Sequence, residues 1–480
     1  MKKYSLYLIC VCVAMVMLAA TQTEQKYYLQ VVNKKTFVME KGVQYSIRTE
    51  NKNDSINIKL FYENEFIIEY PEGTRFRPIV TKKFPQMYID IPKDTEIKRD
   101  EWLNGAAYTL VDGERQLQNG MMYEGLCDIK GRGNTTWNVG KQPYNIRLQE
   151  GGKKPLLGMP AQRHWVLLAN AMDFSWLRNA VAFEISKIFN NIIWTPKSEY
   201  VELYLNGNYA GIYQLTEQIR IDENRVNIPK ISNENPDGGY LIELVNSLKD
   251  EPWFKLYHNR TGKYVSDKEV EANPRIDVMN ANVKDPDQNL ENVWNIITSG
   301  VWAAEEAIYG DNFKNESSGY CKYFDLPSAI DLYWVNEFTK NPDANHGSIF
   351  FYYNPEAKKY FFGPVWDFDL TMGNYNTQNV NTPSNFYSIE NHLYWIPRML
   401  EDPFLKNLAK ERWKEKNSEL QSILDFIDRE SEYLSEARKR DTFIAHYYNN
   451  PQGSYKEEIA LLKSFIETRI RWINENIQKL

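Results

Sequence analysis

The sequence lacks the residue patterns on which several enzyme classes depend. It has only five histidines, none in an HExxH pair or at another close metal-ligand spacing, so a zinc enzyme is not indicated. There is no GxSxG turn for a nucleophilic serine, no cysteine-nucleophile signature and no GxxxxGK[ST] phosphate loop. What remains is acid–base or metal chemistry on carboxylates, for which the candidates are Asp343, Asp367, Asp369, Glu217 and Glu243.

Cysteine is also scarce, with four among 480 residues. Cys10 and Cys12 fall in the N-terminal segment, which leaves Cys127 and Cys321 as two thiols that could form one disulfide. The core must therefore supply most of the stability, and a hydrophobic content of 42% is ordinary for that task. A basic run is absent and the net charge is −7, which argues against nucleic acid as a partner.

Residues 1–22 have the pattern of a secretory signal peptide. Lys2 and Lys3 form a positive start, Leu6–Leu18 an apolar core, and Ala19-Ala20 a small-residue exit. The apolar core is too short to span a membrane comfortably. We therefore expect an exported protein, periplasmic, cell-surface or secreted, without a transmembrane segment once the signal is removed.

The hydrophobic pattern divides the rest of the chain into three parts and predicts an α+β fold. Residues 23–83 alternate apolar and polar residues in short runs, which predicts a small all-β domain. Residues 84–245 are also rich in strands and include an Asn206-Gly207 turn, a strong hairpin signal. Residues 246–480 are mainly helical, although 247–290 are typical of polar loops; the helices predicted near the end are Glu411–Phe426, Arg429–Tyr447 and Tyr455–Leu480.

A glycine-rich stretch at 130–137, KGRGNTTW, is a candidate phosphate cradle. Its glycines let the backbone turn tightly and present N–H groups to an anion. Arg132, Lys141 and Arg147 supply positive charge nearby. Turns of this kind are more often only turns, so both interpretations stay open.

Two aromatic runs, Ser348–Tyr353 and Tyr360–Trp366, flank a polar break and predict a β-hairpin. With the turn centred in the break, the numbers of facing residues sum to about 713. Asp343 then falls near Asp367 and Asp369 at the open end of the hairpin. Because like charges at close range raise each other's pKa, a divalent cation with oxygen ligands is the natural companion of this group.

Two aspartates, one on either side of a hairpin, also occur in catalytic sites. In protein kinases an aspartate before such a hairpin orients the nucleophilic hydroxyl, and one after it holds Mg²⁺. Asp343 and Asp369 could instead only cap turns. The hairpin alone does not separate these alternatives.

Several motifs, taken in order, resemble the spore-coat CotH kinase family. From about Phe84 to Leu480 they are RGNTTW, KxPYxIRL, a helix with LRN, ELYLNGNYAGIYQLTEQI, GGYLIEL, NPDANHGSIFFYYN and VWDFDLTMG. The resemblance implies a bilobal protein-kinase-like fold, with a β-rich N-lobe at 84–245 and a helical C-lobe at 246–480, behind the small β domain. It also implies transfer of the ATP γ-phosphate, with Mg²⁺ or Mn²⁺, to a hydroxyl, most plausibly Ser or Thr on a protein of unknown identity.

The resemblance also assigns roles to residues on the metal side. Asp343 of NPDAN would be the catalytic aspartate and Asp367 of WDFD the metal ligand, with Asp369 and Asn345 as further metal ligands. Protein kinases place a metal-binding asparagine five positions after the catalytic aspartate, and this chain has Ser348 there. That departure puts the second metal ligand, and full activity, in question.

On the nucleotide side, the resemblance implies contacts from the cradle and from one strand end. The expected ATP-binding residues are Arg132, Gly133, Asn134, Lys141 and Glu217. A kinase-type ion pair between Lys141 and Glu184 is a further possibility, although a solvated helix face explains that glutamate as well.

Two other functions stay open at this stage. The first is an inert surface or coat protein with a kinase-like core, which the serine at 348 and the export signal favour because ATP is scarce outside the cytoplasm. The second is a carbohydrate-active enzyme using Asp343 and Asp367, which the 14% aromatic content invites and which needs paired carboxylates about 5–10 Å apart.

Overall fold

A computed structural model describes most of the chain beyond residue 82. The described residues are 83–116, 122–149, 152–245, 252–259, 262–266, 268–269, 278–286, 290–345, 347–376, 379–390, 395–441, 443 and 453–480, with the backbone of six strands between residues 27 and 79. The predicted signal peptide, 1–22, lies outside them.

Within these residues both strands and helices are abundant, as the α+β prediction requires. The strands are β1 (Tyr27–Val31), β2 (Thr36–Met39), β3 (Gln44–Arg48), β4 (Asn57–Tyr62), β5 (Glu65–Glu69), β6 (Arg75–Ile79), β7 (Gln86–Asp90), β8 (Leu103–Val111), β9 (Met122–Gly131), β10 (Tyr144–Leu148), β11 (Lys154–Leu156), β12 (Met159–Gln162), β13 (His164–Leu168), β14 (Ser198–Leu205), β15 (Asn208–Glu217), β16 (Tyr240–Val245), β17 (Trp253–Asn259), β18 (Val278–Lys284), β19 (Ile349–Asn354) and β20 (Lys359–Phe362). The helices are α1 (Arg178–Phe189), α2 (Trp294–Tyr309), α3 (Tyr320–Tyr323), α4 (Leu326–Thr339), α5 (Tyr387–Glu390), α6 (Ile396–Met399), α7 (Pro403–Lys416), α8 (Ser422–Arg440) and α9 (Tyr455–Asn476).

The chain forms two compact units, Met1–Met87 with Thr109–Glu124 and Tyr88–Tyr108 with Gly125–Leu480. In the first, four strands pair in the order β2-β1-β5-β4, and β3 pairs with β6. All six strands lie within residues 23–83, where the alternating residues predict strands. The sixth, β6, contains Pro78, which weakens a strand pattern because proline donates no ladder hydrogen bond. The domain boundaries of the sequence analysis stay a prediction.

Seven strands close into a barrel in the order β10-β13-β15-β14-β7-β8-β9. Its β14–β15 hairpin confirms the predicted Asn-Gly turn, with Leu205 opposite Asn208. Asn206 and Gly207 both have positive φ, 49° and 79°, as a tight hairpin turn of matching twist needs. The β-rich character predicted for this part of the chain thus takes the form of a closed barrel.

A second, five-stranded sheet has the order β17-β18-β16-β19-β20 with antiparallel neighbours. The prediction of polar loops at 247–290 is wrong where β17 and β18 lie. In β17 the buried residues Phe254, Leu256 and His258 alternate with more exposed ones, so the strand has one apolar face and one polar face. The polar residues of the second face made this segment resemble a loop.

The β19–β20 hairpin confirms the predicted register. Phe351 faces Phe362, Tyr352 faces Phe361, and Tyr353 faces Tyr360. The second strand ends at Phe362 rather than at Trp366, because Pro364 follows closely and cannot donate a ladder hydrogen bond.

The C-terminal helices differ from the prediction in two places, one of which is the predicted helix Arg429–Tyr447, since α8 begins at Ser422 and ends at Arg440. The predicted helix Glu411–Phe426 is wrong, since α7 ends at Lys416 and α8 begins at Ser422. The Asn417 side chain donates to the carbonyls of Trp413 and Lys414, a local bond that competes with helix continuation. α9 begins at a capping box of Ser454 and Glu457 and buries an apolar stripe, as predicted.

Two further expectations concern a disulfide and membrane-spanning helices. Cys127 and Cys321 are both free thiols, so the disulfide that the sequence left open does not form. Among the described helices, none has the length and apolarity that a membrane crossing requires.

Candidate metal centre

Three aspartates converge at the open end of the β19–β20 hairpin. Asp343 begins a short 3₁₀ turn, Asp343–Asn345, after α4, while Asp367 and Asp369 follow β20. One carboxylate oxygen from each lies within 4.8 Å of the others. The convergence that the hairpin register predicted is therefore confirmed, and we call this group the acidic trio.

The electrostatics of the acidic trio favour a positive charge beside it. Burial, with the charge of Asp367, raises the pKa of Asp343 to about 8. Burial also raises the pKa of Asp369 well above its usual range, and Asp367, Asp343 and Asp173 raise it further. Oxygen ligands at about 2.0–2.6 Å from a divalent cation lie up to about 5 Å apart across it. Both the donor type and the spacing of the acidic trio fit such an ion.

The turn that carries Asp343 is fixed by two buried asparagines. Asn341 Oδ1 accepts the N–H of Asp343 at 3.0 Å, and Asn341 Nδ2 donates to Asn336 Oδ1 at 3.0 Å. Asn336 belongs to α4, so the turn is fastened to the helix before it. Lys340 between them adopts a left-handed conformation, with φ of 53°, which ends the helix and redirects the chain.

The loop that carries Asp367 and Asp369 is held by the first turn of α1. Asn179 Oδ1 accepts the N–H of Phe368, which lies between the two aspartates, at 2.8 Å. Arg178 Nε donates to the carbonyl of Thr371 at 2.9 Å. The LRN motif therefore has a physical role, because its arginine and asparagine set the path of the acidic loop.

Ser348, which occupies the position of the kinase asparagine, lies beside the acidic trio. Its Oγ donates to Asp367 Oδ2 at 3.2 Å, and its φ is 57°. Asn345 lies in the 3₁₀ turn, but its side chain is outside the described residues. Its role as a metal ligand stays a prediction.

The glycine-rich loop brings one cation toward the acidic trio. Arg132 keeps part of its surface exposed, yet its guanidinium is enclosed by protein and lies 5.5 Å from the ring of Trp366. Burial lowers its pKa, while the charges of Asp367, Glu243 and Asp369 act in the opposite direction. Arg132 therefore lies within electrostatic reach of Asp367, Asp369 and Glu243 of β16, and Glu243 itself pairs with Lys284 at 3.1 Å.

The neighbouring residues of that loop define its shape. Gly133 has φ of 80°, and a Cβ there would lie 2.1 Å from Thr136 Oγ1, so only glycine fits. Asn134 is exposed, and its carbonyl accepts a hydrogen bond from Asn138 Nδ2 at 3.3 Å.

Lys141 and Glu217 have partners that the sequence did not predict. The Lys141 ammonium lies 2.7 Å from Asp441 Oδ2 and 2.7 Å from the carbonyl of Ile212. Glu217 pairs with Arg225, and both side chains are fully buried. Among the described residues, no hydrogen bond or ion pair joins either side chain to the acidic trio.

The kinase-type pair of Lys141 with Glu184 is not formed. Glu184 pairs instead with Lys187 on the surface of α1. Lys141 and Asp441 are separated by 300 positions, and no sequence signal links them. The solvated helix face was the correct interpretation of Glu184.

A further contact that the sequence did not predict holds the asparagine-rich loop after the acidic trio, residues 379–385. Lys340 Nζ donates to the carbonyls of Asn379, Thr382 and Ser384. Arg469 of α9, which pairs with buried Glu337, also donates to the carbonyls of Pro383 and Asn385 in the same loop. These cations meet backbone carbonyls, which carry no sequence signature.

Comparison with known proteins agrees with the arrangement of these motifs. No curated protein matches the chain. The sequence profile of the CotH kinase protein family matches residues 129–473, which include the glycine-rich loop, α1, both strands of the hairpin and all three aspartates. That match covers most of the chain, and the protein therefore belongs to the CotH kinase protein family.

Proposed function

We propose that the protein is an atypical kinase that transfers the γ-phosphate of ATP to a hydroxyl, a Ser or Thr side chain of a protein. The observation that carries this function is the acidic trio, whose ligand oxygens lie within 4.8 Å of one another around the hairpin. Phosphoryl transfer depends mainly on positioning and on charge neutralisation, which such a group supplies. Membership of the CotH kinase family supports the same chemistry.

The reaction needs one proton acceptor. The acceptor oxygen forms a bond to the γ-phosphorus while the bond from that phosphorus to the β–γ bridging oxygen breaks, and ADP leaves with the electron pair. Asp343 orients the acceptor hydroxyl and receives its proton. The hydrogen bond from the Asp343 N–H to Asn341 fixes the direction from which this carboxylate acts.

Asp367 and Asp369 hold a divalent cation, Mg²⁺ or Mn²⁺, with Asn345 as a further ligand. When bound, this cation neutralises charge on the β- and γ-phosphates. The all-oxygen donor set suits these hard cations rather than zinc. Asn179, through the N–H of Phe368, keeps the two carboxylates at their spacing.

The glycine-rich loop forms the phosphate side of the site. Arg132 offers its guanidinium, and the backbone at Gly133 and Asn134 offers N–H groups. Lys141 and Glu217 each hold a buried ion pair. We assign them the support of the strands that carry this loop rather than direct contact with phosphate.

The broader organisation is part of the same proposal. Residues 84–245 act as the N-lobe and 246–480 as the C-lobe of a bilobal kinase-like fold, behind a small β domain at 23–83. Residues 1–22 direct export, and the acceptor is a protein met outside the cytoplasm.

An inert binding protein with a kinase-like core is the second candidate. Ser348 favours it, because its hydroxyl occupies Asp367 Oδ2 at the position where kinases supply a metal-binding amide. A carbohydrate-active enzyme using Asp343 and Asp367 is less well supported, because Arg132 and the glycine-rich loop would have no role in it.

The test is transfer of radiolabel from ATP by the purified protein with Mg²⁺ or Mn²⁺, beside Asp343→Ala and Asp367→Ala. Asp311→Ala, an exposed aspartate, is the matched control. Label transfer that both site variants lose and the control keeps supports the proposal. Transfer that survives both substitutions would refute it.

A thermal-shift measurement separates the kinase from the inert protein. A ligand that binds the native state raises the melting temperature by an amount set by its concentration over Kd. A rise with Mg²⁺ and ATP supports the kinase, and no rise with any nucleotide favours the inert protein.

A further inference from the structure

The five-stranded sheet contains a buried side chain, on β18, whose hydrogen-bonding groups have no partners. Asn282 of β18 is fully buried, and neither its Oδ1 nor its Nδ2 has a hydrogen-bond partner. Buried amides nearly always have partners, because an unsatisfied donor or acceptor inside a protein is costly. Among the described residues, Asn282 is the one side-chain amide with both polar atoms buried and unpaired.

The register of the sheet shows what surrounds this amide. Asn282 faces Trp253 on one neighbouring strand and Glu243 on the other, and Glu243 in turn faces Phe350 of β19. Residues directly opposite in a sheet share a face. A row of Trp253, Asn282, Glu243 and Phe350 therefore runs across the sheet.

This row extends toward the acidic trio, because Phe350 lies two residues after Ser348, whose Oγ donates to Asp367. Glu243 is one of the charges that act on Arg132, together with Asp367 and Asp369. With about 3.4 Å per residue and about 4.8 Å between strands, Asn282 lies roughly 12 Å from Ser348. That separation suits a mononucleotide whose phosphates lie at the acidic trio and whose base lies farther along the sheet.

We infer that Asn282 reads the edge of the nucleotide's purine base, an inference that rests on the proposed function. An amide offers one acceptor and two donors, which match the N6 amino group and the N1 acceptor of adenine. Trp253, directly across the strand pair and 41% exposed, offers a flat apolar face for stacking. Because Asn282 is closed to solvent, the base reaches it when the ring of Trp253, the more exposed of its two cross-strand neighbours, turns away from the amide and then stacks on the base.

The first test compares two ligands on one variant. Asn282→Ala should weaken ATP binding roughly 5- to 150-fold, the range for a bidentate base contact. It should leave the binding of inorganic tripolyphosphate with Mg²⁺ unchanged, because that ligand has no base. The variant should not be less stable, since it removes an unsatisfied polar group.

The second test changes the base preference. Asn282→Asp keeps an acceptor but loses both donors, so it should bind ATP more weakly and gain affinity for GTP, whose N1–H and N2 amino groups both donate. Trp253→Ala should also weaken ATP binding but not tripolyphosphate binding, and its exposure makes it a safe variant for folding. Asn280→Ala, at the adjacent same-face position of β18, is the matched control.

Calorimetric titrations of each variant give outcomes that separate this inference from the proposed function. ATP binding that weakens in Asn282→Ala and Trp253→Ala, with tripolyphosphate binding unchanged, supports the inference. ATP binding unchanged in Asn282→Ala overturns it and leaves the kinase proposal intact. A wild-type protein that binds neither ligand overturns both.

Discussion

Replacing Asp441 by Asn should destabilise the protein strongly, because the change breaks a buried ion pair. Lys141 Nζ lies 2.7 Å from Asp441 Oδ2, and the two side chains are only 3% and 4% exposed. Removing one charge leaves the other uncompensated in the interior, which typically costs about 3–5 kcal/mol. An amide still offers an oxygen to the N–H of Ile212, which Asp441 now binds at 2.8 Å, so the loss reports mainly the ion pair.

The assay is urea unfolding followed by tryptophan fluorescence, since the Trp176 ring lies 5.1 Å from the Lys141 ammonium. Lys141→Met should cost a similar amount, and the double variant should cost clearly less than the sum of the two, as expected for partners in contact. Lys187→Met, which breaks an exposed pair with Glu184, is the control and should cost about 0–1 kcal/mol. A loss below about 1 kcal/mol in Asp441→Asn, or additive single changes, would show that the buried pair contributes little to stability.

The same double variant decides between two roles for Lys141. If Lys141 only supports the strands of the glycine-rich loop, the double variant keeps its affinity for ATP with Mg²⁺. Loss of that affinity in a protein that is still folded would show that the lysine reaches the phosphates, as the family resemblance first implied.

Three further predictions concern the acidic trio. In the metal-free protein burial raises the pKa of Asp343 to about 8, so this carboxyl binds its proton more tightly in the folded than in the unfolded protein. Stability should therefore fall as the pH rises from about 4 to about 8. Mn²⁺ affinity, measured by calorimetry, should rise over the same range. A Mn²⁺ affinity that falls as the pH rises would contradict this. Asn179→Ala should lower Mn²⁺ affinity about 10- to 100-fold, as loss of a residue that orients ligands does, and an unchanged affinity would remove its positioning role. Ser348→Asn should raise the rate of label transfer without loss of stability, because asparagine tolerates the φ of 57°; a lower melting temperature or an unchanged rate would count against that expectation.

Local patterns explain what the sequence could predict. The register of β19 and β20 follows from a short polar turn between aromatic runs, and it alone places Asp343 near Asp367 and Asp369. The Asn206-Gly207 turn was equally predictable, because few sequences adopt positive φ at two successive positions. These features depend on residues close together in the chain.

Long-range pairing explains what the sequence could not predict. Lys141 has its partner 300 positions away, and burial of such a pair leaves no periodic signal. The strand β18 was missed because Asn280 and Asn282, of a residue type common in loops, occupy the face opposite the apolar residues Met279, Ala281 and Val283. The amide that we assign to base recognition was thus hidden among residues that are typical of a loop.

The most direct test of the proposed cation site is Mn²⁺ binding, followed by electron paramagnetic resonance, in the wild-type protein and in Asp367→Ala. The wild-type protein should remove free Mn²⁺ from solution, ATP should strengthen this binding, and Asp367→Ala should lose it while Asp311→Ala does not. Equal Mn²⁺ binding by the wild-type protein and Asp367→Ala would contradict the claim that Asp367 is a ligand of the catalytic cation.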